Sequence, residues 1–211
     1  MCLHSGCLIK YERPDSVRDA SVHFWRYPQA LKSRELRLSE AMMEPTLESA
    51  NRITLRPAAP ADEAFELDLY TGTRWDELKL ISWSDIQKQT FLKMQFTARQ
   101  QQYCRVYPLA IDRIILQDSQ AIGRLLVDQE ERYLVLIDIA LLPAHQNRGI
   151  GTMLVQSLLE EAAVTGKSVR LHVLATNPAV RMYERLGFTA TGEDGTYLEM
   201  KCLGQKSVCS P

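Results

Sequence analysis

From Asn51 onward the apolar and polar positions fall into short blocks with two different periods. Residues 53–56, Ile-Thr-Leu-Arg, alternate like a half-buried strand, Pro57 and Pro60 end that pattern, and 61–70 reads as a helix. A loop is expected over 71–83. Ser84 followed by Gln87 three residues later is a capping box, so a second helix begins there and runs to about residue 100, with Ile86, Phe91, Met94 and Ala98 as its apolar side. Strands follow at 113–116, 121–127 and 132–141, joined by polar turns, which predicts an antiparallel meander. Pro143 ends the third, 152–165 is helical, and Gly166 and Lys167 close that helix. Val169, Leu171 and Val173 alternate with Arg170 and His172 in a strand. A helix then opens near Pro178 and exits at Gly187, and two more strands flank the turn Glu193-Asp194-Gly195.

This order predicts one α/β (α+β) domain built on a mixed sheet, spanning 51–203 and followed by a short tail, 204–211. Residues 1–50 have scattered apolar positions broken by Pro14, Pro28 and Pro45, and are expected to form a poorly ordered extension outside the domain. A helix over 33–44 is conceivable but lacks a partner face, and Met42 or Met43 is an expected alternative start of translation.

Composition narrows the function. The 211 residues carry 25 Lys and Arg against 26 Asp and Glu, a formal charge of −1 that supplies no field to hold a polyanion. Nucleic acid and the membrane surface are therefore disfavoured and not expected as partners, with a local basic patch left open. No apolar run approaches the roughly 20 residues needed to cross a bilayer, and no secretory signal is expected. Five scattered cysteines form no disulfide framework and fit a reducing cytoplasm. Cys2, His4 and Cys7 lack a fourth partner for a structural zinc, so no metal is expected.

The chemistry concentrates where a strand runs into a helix, Leu141-Leu142-Pro143-Ala144-His145-Gln146-Asn147-Arg148-Gly149-Ile150-Gly151-Thr152. Glycines at 149 and 151 allow close approach to the backbone, and the first helical N–H groups have no intrahelical acceptor. With the positive end of the helix dipole they make a phosphate or pyrophosphate site, to which Arg148 adds a charge; an ordinary tight turn is the alternative. No P-loop string occurs, and Leu154 stands where the dinucleotide fingerprint needs its third glycine.

Gln146-x-x-Gly149-x-Gly151 resembles the [RQ]-x-x-G-x-[GA] signature of the GNAT acetyltransferase superfamily. Downstream, Asn177-Pro178-Ala179-Val180-Arg181-Met182-Tyr183-Glu184-Arg185-Leu186-Gly187-Phe188 is similar to the family's second motif, a helix carrying Tyr and ending in Leu-Gly-Phe. The resemblance implies the GNAT-like acyl-CoA N-acyltransferase fold and acetyl-CoA as acetyl donor. It makes the turn Gln146, Asn147, Arg148, Gly149, Ile150, Gly151 and Thr152 cofactor-binding, with the pyrophosphate on the backbone amides from about Arg148 to Thr152, and places the pantetheine arm beside Ile139, Ala140 and Leu141, where two strands splay apart. Tyr183 takes the place of the acid that protonates the departing thiolate. The family's Asn, seven residues before that Tyr, is Thr176 here, with Asn177 one residue later, so either contacts the cofactor.

The implied reaction is direct attack by a primary amine, of a small molecule or a protein, within a ternary complex. An acyl-CoA-binding module without turnover, and a homodimer, are the alternatives left open. Asp138 interrupts an apolar strand, either as the base or as a structural carboxylate; His172 is a second candidate. Trp75, Trp83, Asp76 and Glu77 either shape an amine pocket or anchor a solvated loop.

Overall fold

The computed structural model describes residues 52–203. The expected extension over 1–50, the start at Met42 or Met43, the Cys2, His4 and Cys7 group and the tail over 204–211 lie outside the described residues.

Seven strands form one sheet: β1 (Ile53–Pro57), β2 (Ile111–Gln117), β3 (Gln120–Gln129), β4 (Tyr133–Leu141), β5 (Ser168–Leu174), β6 (Thr189–Glu193) and β7 (Tyr197–Leu203). Their order is β1-β2-β3-β4-β5-β7-β6, and only β4 and β5 run parallel. Among the described residues, four α-helices accompany them: α1 (Glu63–Arg74), α2 (Asp85–Val106), α3 (Ile150–Thr165) and α4 (Val180–Arg185). Leu154, Val155, Leu158, Leu159 and Ala162 of α3 and Met182 and Tyr183 of α4 pack with Leu134, Leu136, Leu171 and Val173 as the main core. On the other side of the sheet, Tyr70 of α1 packs with Leu92 and Phe96 of α2.

The meander, the capping box and the mixed sheet agree with the sequence reading: the Ser84 hydroxyl accepts from the Gln87 N–H, and the Gln87 side chain accepts from the Ser84 N–H at 2.9 Å. Two expectations need correction. The stretch 71–83 is not simply a loop, because α1 continues to Arg74 and a 3-10 turn occupies Trp75–Leu78. The second helix runs on to Val106, and its apolar side is not Ile86, Phe91, Met94 and Ala98. Ile86 and Met94 are 76% and 64% exposed, whereas Leu92, Phe96, Arg99 and Tyr103 are buried. The buried face contains an arginine, so hydrophobic periodicity pointed to the wrong side.

That arginine belongs to an ionic layer between the sheet and α1–α2. Arg124 of β3, 4% exposed, donates from Nε to Asp112 Oδ1 at 2.8 Å and from Nη1 to Gln100 Oε1 at 2.9 Å, and lies 3.8 Å from Glu66. Gln100 in turn donates to Glu66 at 2.7 Å. Burial disfavours the Arg124 charge, but Asp112 and Glu66 outweigh it and its pKa is raised. Burial pushes the Glu66 carboxyl up, with Arg124 opposing. Removing the hub leaves the buried Glu66 carboxylate and the half-buried Asp112 carboxylate uncompensated. Arg124→Leu is therefore expected to lower the urea-unfolding free energy by about 3 kcal/mol.

At the start of α1, Arg56 holds Asp62 through two bonds of 2.7 Å, and the Ala59 N–H adds a third at 2.8 Å. The Arg56 bonds outweigh burial and lower the Asp62 pKa from 3.8 to about 2. A depressed carboxyl pKa stabilises the fold above its unfolded value, and that contribution is lost as pH falls through the folded one. Asp62→Asn should lower Tm at pH 7, and the gap to the native protein should close between pH 4 and about 2; thermal melts across that range measure it.

Candidate active site

The site begins with one surplus residue. β3 and β4 pair in one register down to Leu126 opposite Asp138, then shift so that Val127 faces Leu136, which leaves Ile137 as a β-bulge. At the same point β4 parts from β5: their parallel ladder runs from Tyr133 opposite Ser168 to Leu136 opposite Leu171 and stops there. β5 continues against β7 as far as Leu174, opposite Tyr197, so the two strands diverge into a wedge.

The bulge also decides where Asp138 points. Strict alternation would put it with Leu134 and Leu136 in the core against α3. The extra residue reverses the pattern, and Asp138 instead meets Arg99 of α2 at 3.4 Å. It is 1% exposed, and neither carboxylate oxygen has a hydrogen-bond partner in addition to that ion pair.

Beyond β4 the chain turns through a 3-10 turn, Pro143–His145, into α3. The Gln146 side-chain amide donates to the Leu141 carbonyl at 2.8 Å and ties the turn to the end of the strand. Asn147 and Gly149 have φ of 60° and 80°, a left-handed pair that aims the following amides outward. Gly149 is the N-cap and offers no side-chain acceptor, and the first helical bond is Met153 N–H to Gly149 O at 3.0 Å. The N–H groups of Ile150, Gly151 and Thr152 therefore face outward without helical partners. A Cβ built on Gly149 or Gly151 would meet nothing within 4 Å. Gly149 is required by its dihedral angle, but nothing in the protein crowds Gly151, so crowding does not explain the second glycine.

A groove of about 830 Å³ opens from this turn, lined by Leu141, Asn147, Gly149, Gly151, Thr152 and, across from them, Thr176 and Asn177. Asn177 is buried, and its Oδ1 accepts the Ala179 N–H at 2.8 Å, fixing the turn into α4; Thr176 is exposed on the wall. Asn177 also borders a second, smaller cavity in the wedge, which brings together Asp138, Ile139 and Tyr183. Tyr183 is 3% exposed, its ring edge-on to Phe188 at 5.5 Å. Ala140, Gln146, Arg148 and Ile150 line neither space.

The remaining candidates lie elsewhere. His172 sits opposite Glu199 in the β5–β7 ladder, and burial lowers its pKa. Asp76 pairs with Lys79 at 2.8 Å and Glu77 with Arg74 at 3.5 Å, each within one turn. Trp75 packs against the α1–α2 cluster, and Trp83 meets Phe91 edge-on at 5.3 Å. None of the five lines the groove or the wedge cavity. Sequence reasoning missed Arg181, Glu184 and Arg185, which form the α4 wall of the groove; their i, i+3 and i+4 spacing was the available signal. No group of three or more metal-ligating side chains occurs, and no helix is long and apolar enough to cross a membrane, among the described residues.

The site therefore combines a parallel strand pair that parts after Leu136 with a helix start whose N-cap supplies no side chain. The acetyltransferase (GNAT) family model matches residues 75–188, more than half of the chain, and the chain belongs to that family of acyltransferases. Solved structures share the fold. The PaiA N-acetyltransferase of Thermoplasma acidophilum, in complex with coenzyme A, is 17% identical with a TM-score of 0.55, covering 71% of this chain and 98% of that one. A chimera of the spermidine N-acetyltransferase SpeG from Vibrio cholerae and hSSAT is 20% identical, with a TM-score of 0.51 over 72% and 95% of the two chains. A GNAT-family protein from Desulfovibrio desulfuricans is 16% identical, with a TM-score of 0.51 over 73% and 100%. No curated protein sequence matches the chain.

The two glycines differ in what they cost the fold. Gly149→Ala is expected to lose about 1 kcal/mol of unfolding free energy to left-handed strain, whereas Gly151→Ala, in an open helical turn, should gain up to ~1 kcal/mol. Urea titration of both variants checks this.

Proposed function

We propose that this enzyme transfers the acetyl group of acetyl-CoA to a primary amine, of a small molecule or a protein, by direct attack in a ternary complex. The observation that carries the proposal is the continuity of three parts: outward-facing amides at Ile150 to Thr152, a groove leading away from them, and a wedge that holds Tyr183. The order of these parts suits a ligand with phosphates at one end and a thioester at the other. Ile150, Gly151 and Thr152 would hold the pyrophosphate through their N–H groups, and the open space over Gly151 leaves room for it. The unladdered edge of β4 from Ile139 to Leu141 would pair with the amide-bearing arm, and a backbone N–H there would polarise the thioester carbonyl. Thr176 would meet the arm from the opposite wall, while Asn177 keeps that wall in place.

The amine nitrogen attacks the thioester carbonyl carbon; a C–N bond forms and the C–S bond breaks. The ammonium first loses one proton toward Asp138, directly or through water, and the nitrogen loses a second proton to solvent as the C–N bond forms. Tyr183 gives one proton to the departing sulfur, and the phenol is restored from solvent. An alkylamine with a pKa near ~10.4 is mostly charged at neutral pH, so a buried carboxylate beside the wedge serves both to attract the ammonium and to take up its proton. Arg99 fixes the Asp138 carboxylate in place, and His172, paired across the sheet with Glu199, has no part in this scheme.

Isothermal calorimetry should show coenzyme A binding to the native protein. Gly151→Val, which meets no protein atom, should remain folded by circular dichroism yet bind coenzyme A at least about tenfold more weakly. A folded protein that binds no coenzyme A overturns the proposal. With an amine found by screening a panel for thiol release, Tyr183→Phe should lower kcat by ~100-fold and leave the KM for acetyl-CoA within about threefold. An unchanged kcat when chemistry limits the rate would remove Tyr183 from the mechanism.

A further inference from the structure

Two arginines lie buried between α1, α2 and β4 with most of their donors idle. Arg74, the last residue of α1, is 7% exposed, and Arg99 of α2 is 8% exposed. Both gather on one ring: the guanidinium carbon of Arg74 lies 5.2 Å from the centroid of Tyr70, and that of Arg99 lies 4.5 Å from it. A guanidinium has five N–H groups, and burying them without acceptors is unfavourable. Arg124, in the neighbouring ionic layer, satisfies that demand with bonds of 2.8 and 2.9 Å to Asp112 and Gln100. The Arg99 guanidinium makes no hydrogen bond among the described residues; its ion pair with Asp138 is 3.4 Å long, and its buried Nε has no partner. Arg74 has one long contact, from Nη1 to the exposed Glu77 at 3.5 Å, and its buried Nε has none.

These idle donors adjoin the reacting groups. Asp138 borders the same small cavity as Tyr183, and Arg99 reaches that carboxylate from α2. A Cβ on Gly72 would touch Pro143 at 3.7 Å, so the end of α1 that carries Arg74 lies against the end of β4. Two buried cations therefore stand beside one buried anion. The inference rests on the acyl-transfer reading above, in which Asp138 takes up the ammonium proton and becomes neutral. Arg99 then loses its one ionic partner among the described residues, and a buried charge left unpaired is strongly unfavourable. An anionic group brought in with the acceptor removes that cost, and it must adjoin the amine because Asp138 and Arg99 adjoin each other. A carboxylate is planar and accepts two parallel N–H bonds from a guanidinium. We infer that the acceptor is a free α-amino acid, its carboxylate held by Arg99 and Arg74 while its amine faces Asp138. A single carbon separates the amine from the carboxylate in such a molecule, which matches the neighbouring opposite charges of Asp138 and Arg99. A polyamine would bring a further cation to two guanidiniums, and a peptide N-terminus has a neutral amide where the carboxylate belongs. Transfer joins the acetyl carbon to the α-nitrogen and leaves an N-acetyl amino acid and free coenzyme A thiol.

Thiol release from acetyl-CoA tests this with three sets of acceptors: the standard α-amino acids, the α-carboxamide of each, and spermidine. At least one amino acid should react with a kcat/KM about 100-fold or more above that of its own carboxamide, because the amide leaves two buried guanidiniums without their anion. Calorimetry on the complex with free coenzyme A, where no transfer occurs, should show that amino acid bound and its carboxamide bound at least about tenfold more weakly. Arg74→Gln, checked for folding by thermal melt, should raise the KM for the amino acid about tenfold or more, leave the KM for acetyl-CoA within about threefold, and reduce the acid-to-amide preference to less than about tenfold. An arginine that only supports the fold would weaken both acceptors alike and leave their ratio unchanged. Arg74→Lys keeps the charge without the planar fork and should show an intermediate preference, which serves if the glutamine form does not fold. Thiol release with spermidine or the carboxamides but with no amino acid overturns the inference and leaves the acyl-transfer reading intact. An unchanged acid-to-amide ratio in the folded Arg74 variants also overturns it, as does coenzyme A binding without thiol release from any amino acid. Failure to bind coenzyme A removes the reading on which it stands.

Discussion

The site depends on a single surplus residue in β4. Ile137 has no partner in β3, and three consequences follow from that. The local twist and bend of a bulged strand carry residues 138–141 away from β5, which remains straight against β7. The edge exposed by this parting retains backbone groups that a bound chain would satisfy. The reversal of alternation takes Asp138 out of the apolar core, where an unpaired charge would be prohibitive, and places it against Arg99. Strand divergence, a binding edge and a buried acid therefore share one local cause, and a variant that restored regular pairing would be expected to remove all three together.

The protein divides its electrostatics between backbone and side chains. Near-zero formal charge leaves no long-range field for an anion, and the start of α3 instead presents outward-facing amides, aimed by the left-handed Asn147 and Gly149. Side-chain charges are spent on the opposite face of the sheet, where Arg124, Asp112, Glu66, Arg99 and Asp138 sit between strands and helices. Such pairs are costly to bury and contribute little net stability, but removing one partner is severe. They link α1, α2 and the sheet, and through Arg99 they join α2 to Asp138 on the wedge.

Much of this was legible in the sequence. The meander was visible because its turns are polar and its strands apolar, and the capping box located the start of α2 to the residue. Gly149 and Gly151, with Tyr183 beyond them, marked the groove because their roles depend on local backbone and on a motif. The face of α2 was not legible: its buried side carries Arg99, whose partner lies on β4, and periodicity registers apolarity rather than pairing. The bulge at Ile137 was hidden in an unbroken apolar run, where one extra residue leaves no compositional trace. Asp138 was the only outward sign that the alternation had changed, and its partner could be found only once the helix was in place. Gln146 matched the motif, yet its amide turned out to bond the Leu141 carbonyl, a contact across the turn that spacing alone does not specify.

The central claim is that one continuous surface, from the unladdered edge of β4 through the glycine turn, receives coenzyme A. A ¹⁵N-resolved NMR titration of the full chain with coenzyme A examines that surface amide by amide. The account predicts saturable shifts at Ile139, Ala140 and Leu141 together with Gly149, Ile150, Gly151 and Thr152, and none along the exposed face of α2 that carries Ile86 and Met94. Saturation with shifts confined to α2 or to β6, and with the wedge and turn amides unmoved, would contradict it.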